Sequence, residues 1–304
     1  MRQPPGPNEF TRFPVTGGTA LLALGVTLAW WAGKLDVSPL LEDFHIRQGQ
    51  LWRLLTSALV HLDVLHLAFD VYWTWVFGSL IEEKLGHVAT LAIFVLLALG
   101  SGAAEYAVFI GGAGLSGIGY GLFGMLWVLT YRDRRFEGAI DNQTAALFVG
   151  WFFFCIVMTY LGKPVGNVAH GMGFVLGALL GSAISGPRLE RVIGASTVVL
   201  LFAASLLAAI FFRSRVNFSH HGEGEAQLGF AALNEGRDHD ALGWYRDAIR
   251  IEPTNGNYWY NIGIAAERLG DARGAKADFH RAVELEPSNK DYSSADQDFN
   301  KPSH

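Results

Sequence analysis

Two short stretches of this chain carry the groups that acyl transfer needs. In Gly114-Leu115-Ser116-Gly117 a serine is framed by glycines, and in Ala169-His170-Gly171-Met172-Gly173 a histidine lies on a glycine-striped segment. A hydroxyl becomes a useful nucleophile when a neutral imidazole takes its proton. Ser116 opens an apolar run, so it is expected at a helix N-terminus. There backbone N–H groups without intrahelical partners can stabilise a developing oxyanion. Gly114 and Gly117 let backbone and substrate approach closely. Ser116, Tyr120 and Gly124 are four apart and share a helical face, as do Gly173, Gly177 and Gly181. Two such small-residue faces in contact bring Ser116 within reach of His170, with Tyr120 placed to stack on or steady the ring.

A third stretch, His61-Leu62-Asp63-Val64-Leu65-His66-Leu67-Ala68-Phe69-Asp70, adds polar groups to the same apolar surroundings. His66 and Asp70 are four apart, and hydrogen-bond donors on that face can assist an oxyanion. Other hydrolytic chemistries fit less well. A zinc protease would carry His-Glu-x-x-His on one helix; His61 and His66 are five apart with no glutamate between them, so no metal and no other cofactor is expected. An aspartyl protease needs two facing carboxylates, and Asp70 has only Asp63 nearby, one helix face away.

These residues must be positioned by helices in a bilayer. Of 304 residues, 51% are apolar and 17% charged, and mean hydropathy is positive. Residues 1–213 hold 13 Lys and Arg against 13 Asp and Glu, whereas residues 214–304 hold 10 against 15, so the whole net charge of −5 falls in the tail. An integral membrane body over 1–213 with an acidic soluble tail follows. No basic patch points to nucleic acid, and the single cysteine, Cys155, excludes a disulfide framework. Spanning a hydrocarbon core takes about 20 apolar residues. Seven runs qualify: 15–33, 58–81, 88–110, 115–131, 145–162, 165–185 and 192–212. The first is read as a span and not as a cleaved signal, because no small-residue cleavage site follows it. The segment 35–57 mixes Asp36, Glu42, Asp43, Arg47 and Arg53 with Leu, Phe44 and Trp52, which predicts an amphipathic structure in the interface. The cluster Arg132, Arg134, Arg135 in one short loop favours a cytoplasmic N-terminus, and seven spans then place the tail outside the cytoplasmic membrane. Trp73, Trp75, Trp127 and Trp151 read as interfacial or packing residues. His220 and His221 read as a solvated junction. Glu105, in the third span, has no assigned partner.

The tail repeats itself. Leu228-Gly229, Ala241, Tyr245, Ala248 and Pro253 recur 34 residues later as Ile262-Gly263, Ala275, Phe279, Ala282 and Pro287. Period, small residues at the helix crossing and terminal proline are similar to tetratricopeptide repeats, giving two units over 222–290. Two units make a small solenoid, which a membrane surface or a protein partner would complete. Residues 291–304 are polar and are expected to be disordered.

Taken in order, Trp52-Arg53, the His61…His66 pair, Glu82, Gly114-Leu115-Ser116-Gly117 with Tyr120, and Ala169-His170-Gly171-Met172-Gly173 resemble the rhomboid family of intramembrane serine proteases. The resemblance implies an all-α fold: a six-helix core with a seventh transmembrane helix here, then the helical-hairpin tail. It implies a Ser116–His170 dyad without a third acid, in a water-filled cavity open to the outer face. His66 and the Ser116 backbone N–H would help form the oxyanion hole, with Gly114 and Tyr120 supporting the site. His61, Gly173 and Gly177 would be structural, and Arg53 and Glu82 would hold the first loop to the body. One position departs: rhomboids usually carry an asparagine where this chain has Asp70. An ionised carboxylate would repel the oxyanion, a protonated one would donate to it, and a third possibility turns Asp70 toward His61 or His66. The expected activity is cleavage of peptide bonds in or near transmembrane segments of membrane proteins, in a bacterial cytoplasmic membrane. The rival is a catalytically weak rhomboid-like scaffold that binds client helices and recruits partners through its tail.

Overall fold

The computed structural model describes residues 5–163 and 165–300, and among them every regular element is helical. The chain divides into two compact units, 1–213 and 214–304.

Seven long helices build the first unit: α1 (Pro14–Trp31), α2 (Val64–Leu85), α3 (His87–Val108), α4 (Ser116–Arg132), α5 (Asn142–Tyr160), α6 (Asn167–Ser185) and α7 (Arg188–Leu207). Six described helices are long and apolar enough to cross a membrane, the last continuing through a π-turn to Val216. The exception among the expected seven is α4, at 17 residues. At 1.5 Å per residue it is about 25 Å long, because its chain enters the bundle as a loop and turns helical only at Ser116.

α4 lies at the centre of the unit, its face from Gly117 to Met125 buried almost throughout. It meets α6 through glycine. A methyl added at Gly173 would overlap the Gly117 carbonyl, one at Gly177 the Gly121 carbonyl, and one at Gly124 the Phe174 carbonyl. Between apolar spans in lipid there is little hydrophobic drive, so close backbone approach and dispersion hold such pairs together. Around this seam an aromatic cluster fills the core: Phe123 stacks on Phe148 at 4.4 Å between centroids and Phe69 on Trp151 at 4.8 Å. The last span is tied to the end of α3 by Arg213, which donates to the carbonyls of Tyr106 and Phe109 and lies over the Tyr106 ring.

Between α1 and α2 the interfacial segment is no amphipathic helix. It is a chain of 3-10 turns and one four-residue helix, Arg53–Thr56, because Pro39, Gly49 and a scatter of charges deny it a helical period. Arg53 is buried and donates to the carbonyls of Ser38 and Leu41, to Gln50 and to Asp43. It therefore holds the loop to itself. Glu82 does not touch this loop. Its carboxylate accepts from the N–H groups of Val15 and Thr16 and from the Thr16 hydroxyl, so it caps α1 from α2. Glu42 joins the loop to the body, accepting from the Gly112 N–H at 2.7 Å and the Ser57 hydroxyl at 3.1 Å, and the Gly114 N–H adds a bond to the Ser57 carbonyl at 3.1 Å.

The second unit stacks α8 (Glu223–Asn234), α9 (Asp238–Ile251), α10 (Gly256–Arg268), α11 (Ala272–Leu285) and α12 (Lys290–Asn300). The 34-residue period is visible in its bonds. Gly236 and Gly270 turn the two hairpins with φ of 70° and 81°, and Glu252 and Glu286 accept from the N–H groups of Gly222 and Gly256. Residues 291–300 are helical where their composition predicts disorder. Tyr292 is buried and stacks on Tyr260 at 4.9 Å with Ala295 packed beside it, which gives this largely polar helix something to fold against. α12 thus covers the face that a third repeat would cover.

Candidate active site

Ser116 and His170 meet where α4 and α6 begin. Nε2 of His170 lies 2.9 Å from the Ser116 hydroxyl oxygen. The ring is 4% exposed and stacks on Tyr120 at 4.6 Å between centroids and 23° between planes. Tyr120 is fixed in turn, its hydroxyl donating to the Phe148 carbonyl of α5 at 3.1 Å. Among the described residues nothing bonds His170 Nδ1, so no third acid completes a triad. Gly173 and Gly177 set the helix separation, and the overlap a larger residue would cause there explains why the two side chains can touch.

At the N-terminus of α4 the first intrahelical bond runs from the Gly119 N–H to the Leu115 carbonyl. The N–H groups of Ser116, Gly117 and Ile118 therefore have no acceptor within the helix. Gly114 makes this entry possible: its φ of +102° is one that residues with a Cβ rarely adopt, and a methyl there would run into His66 and Asp70.

His61, His66 and Asp70 gather beside this turn. The Asp70 carboxylate turns toward both imidazoles, with Oδ2 3.3 Å from Nε2 of His61 and 3.3 Å from Nε2 of His66. His61 is fully buried. Its Nε2 accepts the Leu115 N–H at 3.2 Å, and its Nδ1 lies 3.4 Å from the Thr27 hydroxyl, which itself donates to the Leu59 carbonyl. These neighbours assign His61 as neutral with its proton on Nδ1.

Sequence reasoning passed over two carboxylates. Glu105, which has no assigned partner in the sequence, accepts the Ala169 N–H on its Oε2 at 2.9 Å and so caps the helix that carries His170. Glu42, one of several interfacial charges in the sequence, fixes the Gly112 N–H two residues before Gly114. Burial pushes its carboxyl up to about 8, against the opposing pull of the Gly112 and Ser57 bonds. For Glu105 the available signal was a lone acid in apolar sequence, which must have a donor close by; Glu42, beside Asp43 in a charged segment, carries no such signal.

The rhomboid domain family matches residues 48–186 and the tetratricopeptide repeat family matches residues 256–289. Over residues 48–186 the membrane unit is similar to rhomboid domains. Rhomboid protease GlpG of Enterobacter sp. (strain 638) is 33% identical over 143 residues, 45% of this chain and 49% of that protein. Rhomboid protease GlpG of Yersinia enterocolitica is 30% identical over 161 residues, 51% of this chain and 53% of that protein. The chain thus spans about half the length of the curated relatives it matches. Beyond the stretch similar to rhomboid domains the chain carries a helical tail, whose residues 256–289 match the tetratricopeptide repeat family.

Proposed function

We propose that this chain is an intramembrane serine endopeptidase working through Ser116 and His170. The observation that carries the reading is the 2.9 Å contact between the Ser116 hydroxyl and a buried, ring-stacked imidazole. In the proposed cycle Ser116 Oγ attacks the scissile carbonyl as its proton passes to His170 Nε2. The tetrahedral oxyanion is held by the N–H groups at the start of α4, with His66 alongside, an effect worth about 3 kcal/mol per donor. His170 then gives the proton to the leaving amine, and water repeats the sequence to release the acyl group. A substrate span must unwind to present its carbonyl, so segments with small or helix-breaking residues near the cut are favoured. The test is cleavage of a transmembrane reporter in proteoliposomes by the wild type, Ser116→Ala and His170→Ala. Loss in both variants is the expected result; cleavage that survives Ser116→Ala overturns the mechanism.

Ser116 and Arg132 lie at opposite ends of α4, which, with the positive-inside bias, supports an outer-face site in a bacterial cytoplasmic membrane and an extracytoplasmic tail. The repeats would recruit a substrate ectodomain or another protein. Deleting residues 223–290 should then change which substrates are cut while sparing a generic reporter, and equal loss on both counts against recruitment. One observation favours a non-proteolytic scaffold: a carboxylate, Asp70, stands beside the oxyanion position. A silent wild type that becomes active as Asp70→Asn would establish that reading.

A further inference from the structure

Asp70 has a second peculiarity. Its Oδ2 is buried and makes no hydrogen bond, although two imidazole nitrogens stand 3.3 Å away. The two imidazole nitrogens and the carboxylate oxygen converge within 4.8 Å of one another. We propose that His61, His66 and Asp70 form a binding site for a divalent transition-metal ion, Zn2+, beside Ser116, and that the ion's binding switches off the protease proposed above. The switch rests on the protease reading; the metal site does not.

The donor geometry fits. Zinc binds imidazole nitrogen and carboxylate oxygen at about 2.0–2.2 Å, so two ligands at a tetrahedral angle lie about 3.3–3.5 Å apart. The observed separations of 3.3 Å are that edge, and all three ligand atoms lie within 4.8 Å of one another. Two imidazoles and one carboxylate are a set that zinc takes with its fourth position open to water. Calcium and magnesium want more oxygens, and cuprous ion wants sulfur, so the set argues against them. The Nδ1 of His61 faces the Thr27 hydroxyl, the kind of partner that fixes a ligating ring. His66 is 26% exposed and gives a route in. A His-Glu-x-x-His motif on one helix is absent and the sequence predicts no metal; here His61 precedes α2 and reaches the site from the loop.

Metal binding and catalysis would compete for the same lone pair. His61 Nε2 now accepts the Leu115 N–H, and Leu115 precedes the nucleophile directly. An ion on Nε2 displaces that donor, while His66, against which Gly114 packs, is drawn away from the oxyanion. The turn that presents Ser116 then loses both of its imidazole contacts.

The experiment uses the full chain in detergent, stripped of metal, and adds Co2+ as a spectroscopic probe with Zn2+ as competitor. The expected result is one Co2+ per chain with the strong visible bands of tetrahedral coordination, displaced by Zn2+. Asp70→Asn and His66→Gln should each weaken binding at least tenfold. Zn2+ should raise the wild-type Tm and leave both variants unmoved, which also shows that they are folded. Reporter cleavage by the wild type should fall with Zn2+ and return with chelator. Equal affinity in the wild type and both variants, as adventitious binding at His45, His220 or His221 would give, overturns the site. Tetrahedral Co2+ with zinc-insensitive or zinc-stimulated cleavage overturns the switch alone. No cleavage by metal-free wild type refutes the protease reading, and the spectra still decide the site.

Discussion

At the α4–α6 seam and inside the repeat hairpins glycine is used in opposite ways, and the contrast shows what each place has for solvent. Between α4 and α6, Gly173 and Gly177 lie against backbone carbonyls, so two main chains touch. In the repeats, Gly229 lies against the Tyr245 ring and Gly263 against the Phe279 ring, so glycine opens a socket for an aromatic side chain. In water, burying a large ring is the main source of stability, and a glycine that admits the ring adds to it. In lipid the gain has to come from contact itself, so the backbone is brought as close as sterics allow.

The largest effect expected from this contrast is at the membrane seam. Gly177→Val would push a branched side chain into the Gly121 carbonyl, and backbone cannot step aside as a rotamer can. Overpacking in a rigid core costs about 1–3 kcal/mol or more, and here it would also separate Ser116 from His170. Reporter cleavage should fall by more than about 100-fold, a loss that each misplaced ångström near a reacting centre can produce. Near-wild-type cleavage by Gly177→Val would break the comparison.

Next in size is Glu105. Glu105→Gln keeps the shape but weakens the charge-assisted bond to Ala169 at the start of the His170 helix. A loss of about 1.4 kcal/mol in transition-state stabilisation is tenfold in rate, so kcat should drop about tenfold with KM little changed. A change in KM alone would mean that Glu105 shapes the substrate path and does not position His170.

How much of this could be read in the chain depends on whether the signal was periodic. The glycine stripe on α6 and the Ser116–Tyr120–Gly124 face predict the α4–α6 contact, because a spacing of four has one geometric meaning in a helix. The 34-residue period predicts the hairpins for the same reason. Long-range polar contacts have no such regularity. Glu82 was expected to hold the first loop and instead caps α1 across 66 residues; Glu42 does the holding across 70. The helix Lys290–Asn300 was missed because Tyr292 and Ala295 give too little apolar pattern in polar sequence.

A smaller effect is expected in the repeats. Gly263→Ala sets a methyl against the edge of the Phe279 ring, which can tilt in a way that a carbonyl cannot. Destabilisation of about 1–2 kcal/mol is expected, read as a lower denaturation midpoint for the tail under limited proteolysis. Generic reporter cleavage should stay unchanged. If Gly263→Ala impairs cleavage as much as Gly177→Val does, the two units are not energetically separate.

The smallest effect lies at Glu42, in the loop between spans, where neither solvent regime holds fully. Its carboxyl is pushed up to about 8 by burial, with the Gly112 and Ser57 bonds and the nearby Arg213 pulling down and Glu105 pushing up. An unfolded glutamate titrates near 4.3. Below that value both states are protonated and the folded state bears no penalty. As pH rises from about 4.3 to 8 the unfolded chain releases a proton that the folded chain keeps, so stability declines through this window and levels off above it. Glu42→Gln keeps an acceptor for the Gly112 N–H, replaces the oxygen that accepts from Ser57 by an amide N–H that the hydroxyl oxygen can accept, and removes the titration. The slope of Tm against pH between 5 and 8 should therefore be shallower in Glu42→Gln than in the wild type. Parallel slopes would mean that water reaches Glu42 and that the loop belongs to the aqueous regime after all.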